Sequence, residues 1–328
     1  VTLNAAGGNV TIGFIGTVAA EINDVTMTGA TINLGGDIKT DDAGDVDLNG
    51  AVVLTAAVEI DTSAGNGTVD LSSTLNGGQT FAISSGTGAV GIGGNIGAGT
   101  ALTSLTINAA GTGAITLSGN IGAGGAGVTA ATAVGNANTT NLTLGGTVYN
   151  ANAATYTAVA GNTIDLTAGA TTTFTSTADN ITFATGTVEL ADGSNLSVTT
   201  GGGVGNIQLV AIKASSVEDV TLNAGTGNVT IGAIGASATE INVVAITGAT
   251  INLSGNIRTD DDGGAAGNVT LTGAVALGAN ITIDTSAGNG AVTLSSTLNG
   301  AFNFDIVSGN GAVAIQGVTG GTAALASL

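Results

Sequence analysis

The 328-residue chain has no His, Cys, Pro or Trp, and only 2% of its residues are aromatic, so the usual nucleophile–base triads and thiolate metal sites cannot form. Its 22 acidic and 3 basic residues give a net charge of −19, which excludes the basic surfaces that bind nucleic acid or insert at anionic membranes. We therefore expect a protein that is not an enzyme, and no stretch of 18 or more apolar residues predicts membrane insertion.

Short segments in which apolar and polar residues alternate run along the whole chain. This period of two is typical of strands with one buried face. Clusters of Gly, Asn, Ala and Ser separate the segments and indicate turns. In chain order the apolar pairs are Val10/Ile12, Ile32/Leu34, Val46/Leu48, Val58/Ile60, Val69/Leu71, Val90/Ile92, Leu105/Ile107, Ile115/Leu117, Leu142/Leu144, Ile164/Leu166, Ile181/Phe183, Leu196/Val198 and Ile207/Leu209.

A long internal duplication relates residues 1–92 to residues 220–315. Residues 1–41 share 29 identities with residues 220–260 at an offset of 219. Four extra residues then enter near 262–268, and the match resumes at an offset of 223. Such self-similarity is typical of a solenoid, in which each repeat stacks on its neighbours.

The strands could form an antiparallel series of hairpins or a parallel β-helix that winds strand on strand. The regular triplets, the duplication and the lack of large core aromatics favour winding. We predict an all-β, right-handed parallel β-helix that is one continuous solenoid over 1–328, with roughly 15 coils. The least regular stretch, 120–162, predicts protruding loops, and any specific recognition is expected there, beside Tyr149 and Tyr156.

The segments "GNVTIGAIG", "GATINLSGNI", "GNVTLTGAV", "GAITLSGNIGA" and "NTIDLTAGA" resemble the β-strand repeats of bacterial surface proteins of the filamentous-haemagglutinin and autotransporter-adhesin kind. The resemblance covers essentially the whole chain. It implies the right-handed sense of the helix, secretion to the cell surface or matrix, and a role as stalk, adhesin or fibre. The secretion domain of that family is not recognisable in this sequence.

Two acidic turns are candidate calcium sites. "TDDAGD" and "TDDDGG" concentrate carboxylates, the hard oxygen ligands that Ca²⁺ prefers, beside glycine. Their spacing matches neither the EF-hand loop nor the calcium-binding nonapeptide, and solvated turns are the alternative. The candidate ligands are Asp41, Asp42, Asp45, Asp260, Asp261 and Asp262. No other cofactor is expected.

Other side chains suggest structural roles. Outward Thr rows could bind ice, although Asp47, Glu59 and Asp70 interrupt them; the Thr positions are Thr11, Thr106, Thr116, Thr143, 171–173, Thr175 and Thr177. Asn residues at turns predict hydrogen-bonded ladders between coils, at Asn4, Asn9, Asn33, Asn223, Asn228 and Asn252. The six Phe residues are expected to fill the core at coil corners.

The sequence favours a structural rod on the bacterial cell surface or in the extracellular matrix, as a stalk or a self-assembling fibre. Because each coil needs a neighbour above and below, we expect end-to-end association with further repeats or copies. The alternative is an adhesin whose loops bind a host or surface glycan. A calcium-stabilised, S-layer-like module and an ice-binding module are further alternatives.

Overall fold

A computed structural model describes residues 1–17, 22–108, 110–122, 124–214, 218–237, 241–260 and 267–328. These residues form strands and turns but no helix, and the parallel strands stack into a β-solenoid of about 12 turns, against the roughly 15 expected. The predicted parallel winding is thereby confirmed, whereas its right-handed sense stays a prediction. The chain divides into two compact units, Val1–Ile164 and Asp165–Leu328.

The first unit contains short strands that alternate with turns throughout. They are β1 (Thr2–Asn4), β2 (Asn9–Ile12), β3 (Val25–Leu34), β4 (Ile38–Lys39), β5 (Val46–Leu54), β6 (Val58–Asp61), β7 (Val69–Leu71), β8 (Leu75–Asn76), β9 (Thr80–Ser84), β10 (Val90–Ile92), β11 (Ser104–Ile107), β12 (Ile115–Leu117), β13 (Thr132–Val134), β14 (Leu142–Leu144), β15 (Val148–Asn150) and β16 (Ala154–Tyr156). The division between the units falls within β17 (Thr163–Leu166).

The second unit is built in the same way. Its strands are β18 (Thr172–Thr175), β19 (Ile181–Phe183), β20 (Thr187–Leu190), β21 (Leu196–Thr199), β22 (Ile207–Ala214), β23 (Val220–Asn223), β24 (Val229–Ile234), β25 (Val244–Leu253), β26 (Ile257–Arg258), β27 (Val269–Leu277), β28 (Ile281–Asp284), β29 (Val292–Leu294), β30 (Leu298–Asn299), β31 (Phe304–Val307) and β32 (Val313–Ile315). The bounds of β25, β27 and β28 coincide with those of β3, β5 and β6 at the offsets of the duplication.

Each coil of the first unit has three faces. The first face stacks β1, the start of β3, the start of β5, β7, β10, β12 and β14. The second face begins with β2 and the ends of β3 and β5, and the third face stacks β4, β6, β9, β11, β13 and β16. In the second unit the corresponding third face stacks β20, the end of β22, the end of β24, β26, β28 and β31.

The strand registers place aliphatic side chains in columns inside the coils. Val25 pairs with Val46, which pairs with Val69, and all three are fully buried. The residue between two buried ones points outward, as the period of two requires. Because aliphatic groups of similar size lie one above another, each coil buries its apolar surface against the next without large aromatics.

A buried hydroxyl closes the turn after the third face in many coils. Thr62 Oγ1 donates to the carbonyl of Gly67 at 2.6 Å, and Thr285 Oγ1 donates to that of Gly290 at 2.6 Å. A Cβ on Gly88 would lie 2.1 Å from the carbonyl oxygen of Gly67 in the coil below. We call the hydrogen bond from the buried hydroxyl to the glycine carbonyl the hydroxyl clamp. It satisfies a polar group that would otherwise be buried without a partner.

Candidate functional site

Each of the three basic residues lies on the third face of its unit beside an acid of an adjacent coil. Lys39 Nζ lies 3.3 Å from Glu59 Oε2 and 3.2 Å from Asp61 Oδ2. In the second unit, Lys213 Nζ lies 3.0 Å from Glu189 Oε2, and Arg258 Nη1 lies 3.3 Å from Asp284 Oδ2. The chain thus uses its few cations to join neighbouring coils.

These contacts change the acidities of the groups involved. Burial alone raises the pKa of Asp61, but hydrogen bonds from Ser63 and the ion pair with Lys39 outweigh it and lower that pKa. A hydrogen bond from the Ser286 hydroxyl is the main cause of the lowered pKa of Asp284. Both carboxylates are therefore ionised near neutral pH and stay paired there.

A groove flanks the basic residue in each copy of the duplication. In the first unit it has a volume of about 490 Å³, and its lining includes Phe14, Gly16, Asp37 and Lys39. In the second unit it has a volume of about 290 Å³, and its lining includes Ala236, Asn256, Arg258 and Asp284. We call them the Lys39 groove and the Arg258 groove.

The acidic turn of the first unit is tight, and one of its carboxylates bonds to the next coil. Asp42 adopts a positive φ of 47°, and Asp41 lies on the same turn, with its carbonyl accepting from the amide of Gly44 at 2.6 Å. Asp45 Oδ1 accepts a hydrogen bond from the backbone amide of Thr68, one coil further on, at 2.7 Å. At least one of the three predicted ligands therefore serves coil-to-coil bonding.

The acidic turn of the second unit is described only in part. Asp260 is described, whereas Asp261 and Asp262 lie outside the described residues. Among the residues that are described, no group of three or more acidic side chains is arranged to hold a metal ion. Calcium binding stays a prediction, and a thermal transition that is the same with and without a chelator would exclude it.

A stack of four carboxylates on the first face was not predicted from the sequence. Asp47 and Asp70 are register partners on consecutive coils, and Asp45 Oδ1 bonds to the neighbouring coil at the same edge. Burial raises the pKa of Asp47, and the charges of Asp45, Asp70 and Asp24 raise it further. The spacing of the coils in sequence, 21 to 23 residues at this place, was the signal that could have revealed the stack.

The predicted Thr rows do not line up into a flat array. Thr116 pairs with Thr143 on the next coil but with Gly91 on the preceding one, and Thr106 pairs with Ala82 and Ala133. Thr172, in the predicted row 171–173, is fully buried. The Thr hydroxyls at these positions therefore do not form a continuous row, and ice binding stays a prediction.

Hydrogen-bonded ladders between coils exist, but in most of them a backbone amide, not a side chain, is the donor. An Asn or Asp Oδ1 accepts from the backbone amide one coil further on, as in the pairs Asn66 to Thr87 and Asn268 to Ala291. Among the predicted residues, Asn33 and Asn252 bond to Thr hydroxyls of the preceding coil, and the amide of Asn228 bonds to Asn206 Oδ1. Asn4 and Asn223 instead accept from amides two residues ahead.

Most of the aromatic residues are buried, including both tyrosines of the stretch 120–162. Tyr149 and Tyr156 contact each other edge to face, with ring centroids 6.2 Å apart, and Tyr149 Oη accepts from the amide of Gly146. Burial raises the pKa of both phenols far above the ordinary value. Strands β13 to β16 occupy this stretch, so its tyrosines pack in the core and are not available as surface recognition groups.

Phe14 differs from the expectation that all Phe residues fill the core. It is 69% exposed, because Ile15 takes the next inward position and is buried. Phe81, Phe174, Phe183 and Phe304 are fully buried as predicted. Phe14 therefore places an aromatic ring at the rim of the Lys39 groove.

Comparison with family models, with curated proteins and with solved structures finds no match to this chain. The fold identifies it as a β-helix repeat protein. In the described part of the chain, no helix is long and apolar enough to cross a membrane.

Proposed function

We propose that the protein is a non-catalytic structural rod of the bacterial cell surface or extracellular matrix, extended by end-to-end stacking of further coils. The parallel stacking of coils supports this role, because a parallel β-solenoid can be extended by adding coils without changing its cross-section. The resemblance to secreted surface repeats supports the location outside the cell.

The observation that carries the proposal is the coil-to-coil register. Val25, Val46 and Val69 stack in the core, while backbone bonds and side-chain ladders join the same coils outside it. These coil-to-coil hydrogen bonds run along the direction in which the coils stack. A pulling force in that direction is therefore shared by the many bonds between each pair of coils. Such an arrangement suits a spacer or fibre.

Self-association is supported by a face that could accept another coil. Among the described strands, β31 pairs only with β28, and β32 pairs only with β29, although the amide of Phe304 at the start of β31 also donates to the carbonyl of Ser327. A groove of about 580 Å³ lies there, and its lining includes the exposed apolar side chains of Val307 and Val313. A coil of another repeat or another copy would satisfy these strand edges and bury these residues.

Electron microscopy of the purified chain tests the proposal. Wild-type protein is expected to form filaments of uniform width that lengthen with concentration. Val313→Lys places a charge on the accepting face and is expected to abolish them, since an unpaired ammonium cannot be buried at a coil-to-coil contact. Val204→Lys is the matched control, because Val204 is 75% exposed and lies outside the strands.

Filaments that persist in Val313→Lys would exclude stacking through this face. Isolated particles in the wild type, at every concentration tested, would exclude self-assembly by the chain itself. Antibody labelling of intact cells tests the location separately, and labelling that requires permeabilised cells would contradict a surface role.

A further inference from the structure

Phe14 is an exposed ring on a surface made mainly of small residues. Of the six Phe side chains, four are fully buried and Phe302 is half-buried, whereas Phe14 is 69% exposed. Exposing a ring of this size forgoes the favourable free energy that its burial would contribute. Gly36 lies beside it, where a Cβ would be only 3.1 Å from the Phe14 Cβ, so the absence of a side chain leaves the base of the ring accessible.

Fixed polar groups complete the Lys39 groove. Asp37 Oδ1 accepts from the amide of Glu59 at 2.8 Å, which orients the carboxylate. Lys39 Nζ is held between Glu59 and Asp61 on the neighbouring coil. Both groups are therefore positioned before any ligand arrives, which reduces the entropy lost on binding.

We propose that the Lys39 groove is a binding site for one hexopyranose ring of a neutral glycan, with the sugar stacked on Phe14 and its hydroxyls bonded by Asp37 and Lys39. The face of an aromatic ring carries partial negative charge, and the C–H bonds on one face of a pyranose present partial positive charge to it. Sugar hydroxyls both donate to a carboxylate and accept from an ammonium group. The volume of about 490 Å³ lies in the range of small-ligand sites.

Charge and area favour a neutral sugar over other occupants. A chain with a net charge of −19 repels anionic ligands. One exposed Phe ring offers far less contact area than the roughly 1,000 Å² that a specific protein interface buries. This inference goes beyond the rod proposal, since a rod needs no ligand, and it lies outside the stretch 120–162.

The duplication supplies an internal control. In the second copy Gly235 and Gly255 match Gly16 and Gly36, and Arg258 matches Lys39, but Ala233 stands where the first copy has Phe14. The Arg258 groove therefore keeps the glycines and a cation, but it lacks the aromatic ring, and Asn256 replaces the carboxylate of Asp37 with an amide. We expect it to bind no sugar.

Saturation-transfer NMR with the full chain tests the site, with methyl glucoside, methyl galactoside, methyl mannoside and methyl N-acetylglucosaminide as probes. At least one probe is expected to receive saturation, strongest at the ring protons of one sugar face. Phe14→Ala is expected to weaken binding at least tenfold, while Phe14→Tyr retains it. Ala233→Phe is expected to raise the stoichiometry from one site to two.

The thermal transition of Phe14→Ala controls for folding and is expected to be unchanged, because the ring is exposed. Saturation of no probe, or equal saturation in wild type and Phe14→Ala, would overturn the proposal. A concentration-dependent dimer that Phe14→Ala abolishes would assign the ring to a contact between copies and would also overturn it. None of these outcomes depends on filament formation, so the rod proposal stands or falls separately.

Discussion

In the first copy of the duplication, the edge of the first face carries Asp24, Asp45, Asp47 and Asp70; in the second copy the same positions hold Val243, Asn268, Thr270 and Thr293. Both copies nevertheless have the same kind of hydrogen bond between coils at this edge. Asp45 Oδ1 accepts from Thr68 at 2.7 Å, and Asn268 Oδ1 accepts from Ala291 at 2.7 Å. The fold thus needs an oxygen acceptor at this edge, and the negative charge is an addition that the fold does not require.

The largest expected effect on stability concerns the core, because the equivalent Phe residues of the two copies differ in the strands that flank them. Phe81 is flanked by Val58 of β6 and Leu105 of β11, whereas Phe304 has Ile281 of β28 on one side. Phe81→Ala is expected to cost about 3–5 kcal/mol of unfolding free energy, because it leaves a cavity between fixed coils. Phe304→Ala is expected to cost less. Urea unfolding followed by circular dichroism measures both variants. Equal losses of unfolding free energy would show that the number of flanking strands does not decide the cost.

Glycines at the hydroxyl clamp test whether the two copies share one backbone. A Cβ on Gly88 would lie 2.1 Å from the oxygen of Gly67, and one on Gly311 would lie 2.1 Å from that of Gly290. Gly88→Ala is expected to cost about 1–3 kcal/mol through overpacking, and Gly311→Ala to act in the same direction. Gly78→Ala is the control, since nothing lies within 4 Å of its Cβ position. Melting temperatures measure the series, and a loss in Gly78→Ala as large as in Gly88→Ala would reject the steric explanation.

The carboxylate stack is expected to have a smaller effect on the stability of the fold, and this effect depends on pH. Burial and the charges of Asp45, Asp70 and Asp24 raise the pKa of Asp47 in the folded chain. A carboxyl with a raised folded pKa stabilises the fold below its unfolded pKa, about 3.9, and this contribution is lost as the pH rises through the folded value. Asp47→Thr, which copies Thr270, is therefore expected to raise the melting temperature at pH 7 and to lose this advantage near pH 3.

The reverse exchange serves as the control for the stack. Thr270→Asp introduces a carboxylate where the neighbouring positions are Asn268 and Thr293, so little repulsion is expected. A destabilisation at pH 7 as large as the gain in Asp47→Thr would show that burial alone, and not the neighbouring charges, governs both positions.

The smallest effect is expected at the ion pairs of the third face. Lys39→Gln removes the partner of Glu59 and Asp61 and is expected to cost about 1 kcal/mol or less, as partly exposed pairs do. Because the ion pair helps to lower the folded pKa of Asp61, its contribution is present above the unfolded pKa and is lost as the pH falls through the folded value. Melting curves in low and high salt measure it, and a loss that high salt does not diminish would exclude an electrostatic origin.

The sequence predicted the strands and their buried faces, because alternation at positions such as Val46 and Leu48 depends only on neighbouring residues. It did not predict the carboxylate stack, since that depends on which residue of the next coil lies above Asp47. The variable coil length, from 21 residues at Asp24 to 28 at Asn120, hides this register.

The candidate site was harder to predict than the fold. Phe14 follows an alternating segment, which predicts a core residue, but the corner after β2 turns Ile15 inward in its place. The stretch around Tyr149 and Tyr156 lacks the regular triplets and predicts protruding loops with specific recognition, yet strands as short as three residues continue the stack there and both rings are buried. In both cases the turn between faces, which local sequence specifies weakly, decides which side chain is exposed.

The hydroxyl clamp tolerates extra chain. In the first copy Thr40 Oγ1 reaches the carbonyl of Gly44, four residues on, whereas in the second copy Thr259 Oγ1 reaches that of Gly267, eight residues on. The strands on either side keep their places despite the four added residues. The same hydrogen bond therefore closes turns of different length, so the number of residues between Thr259 and Gly267 can vary without moving the strands that flank them.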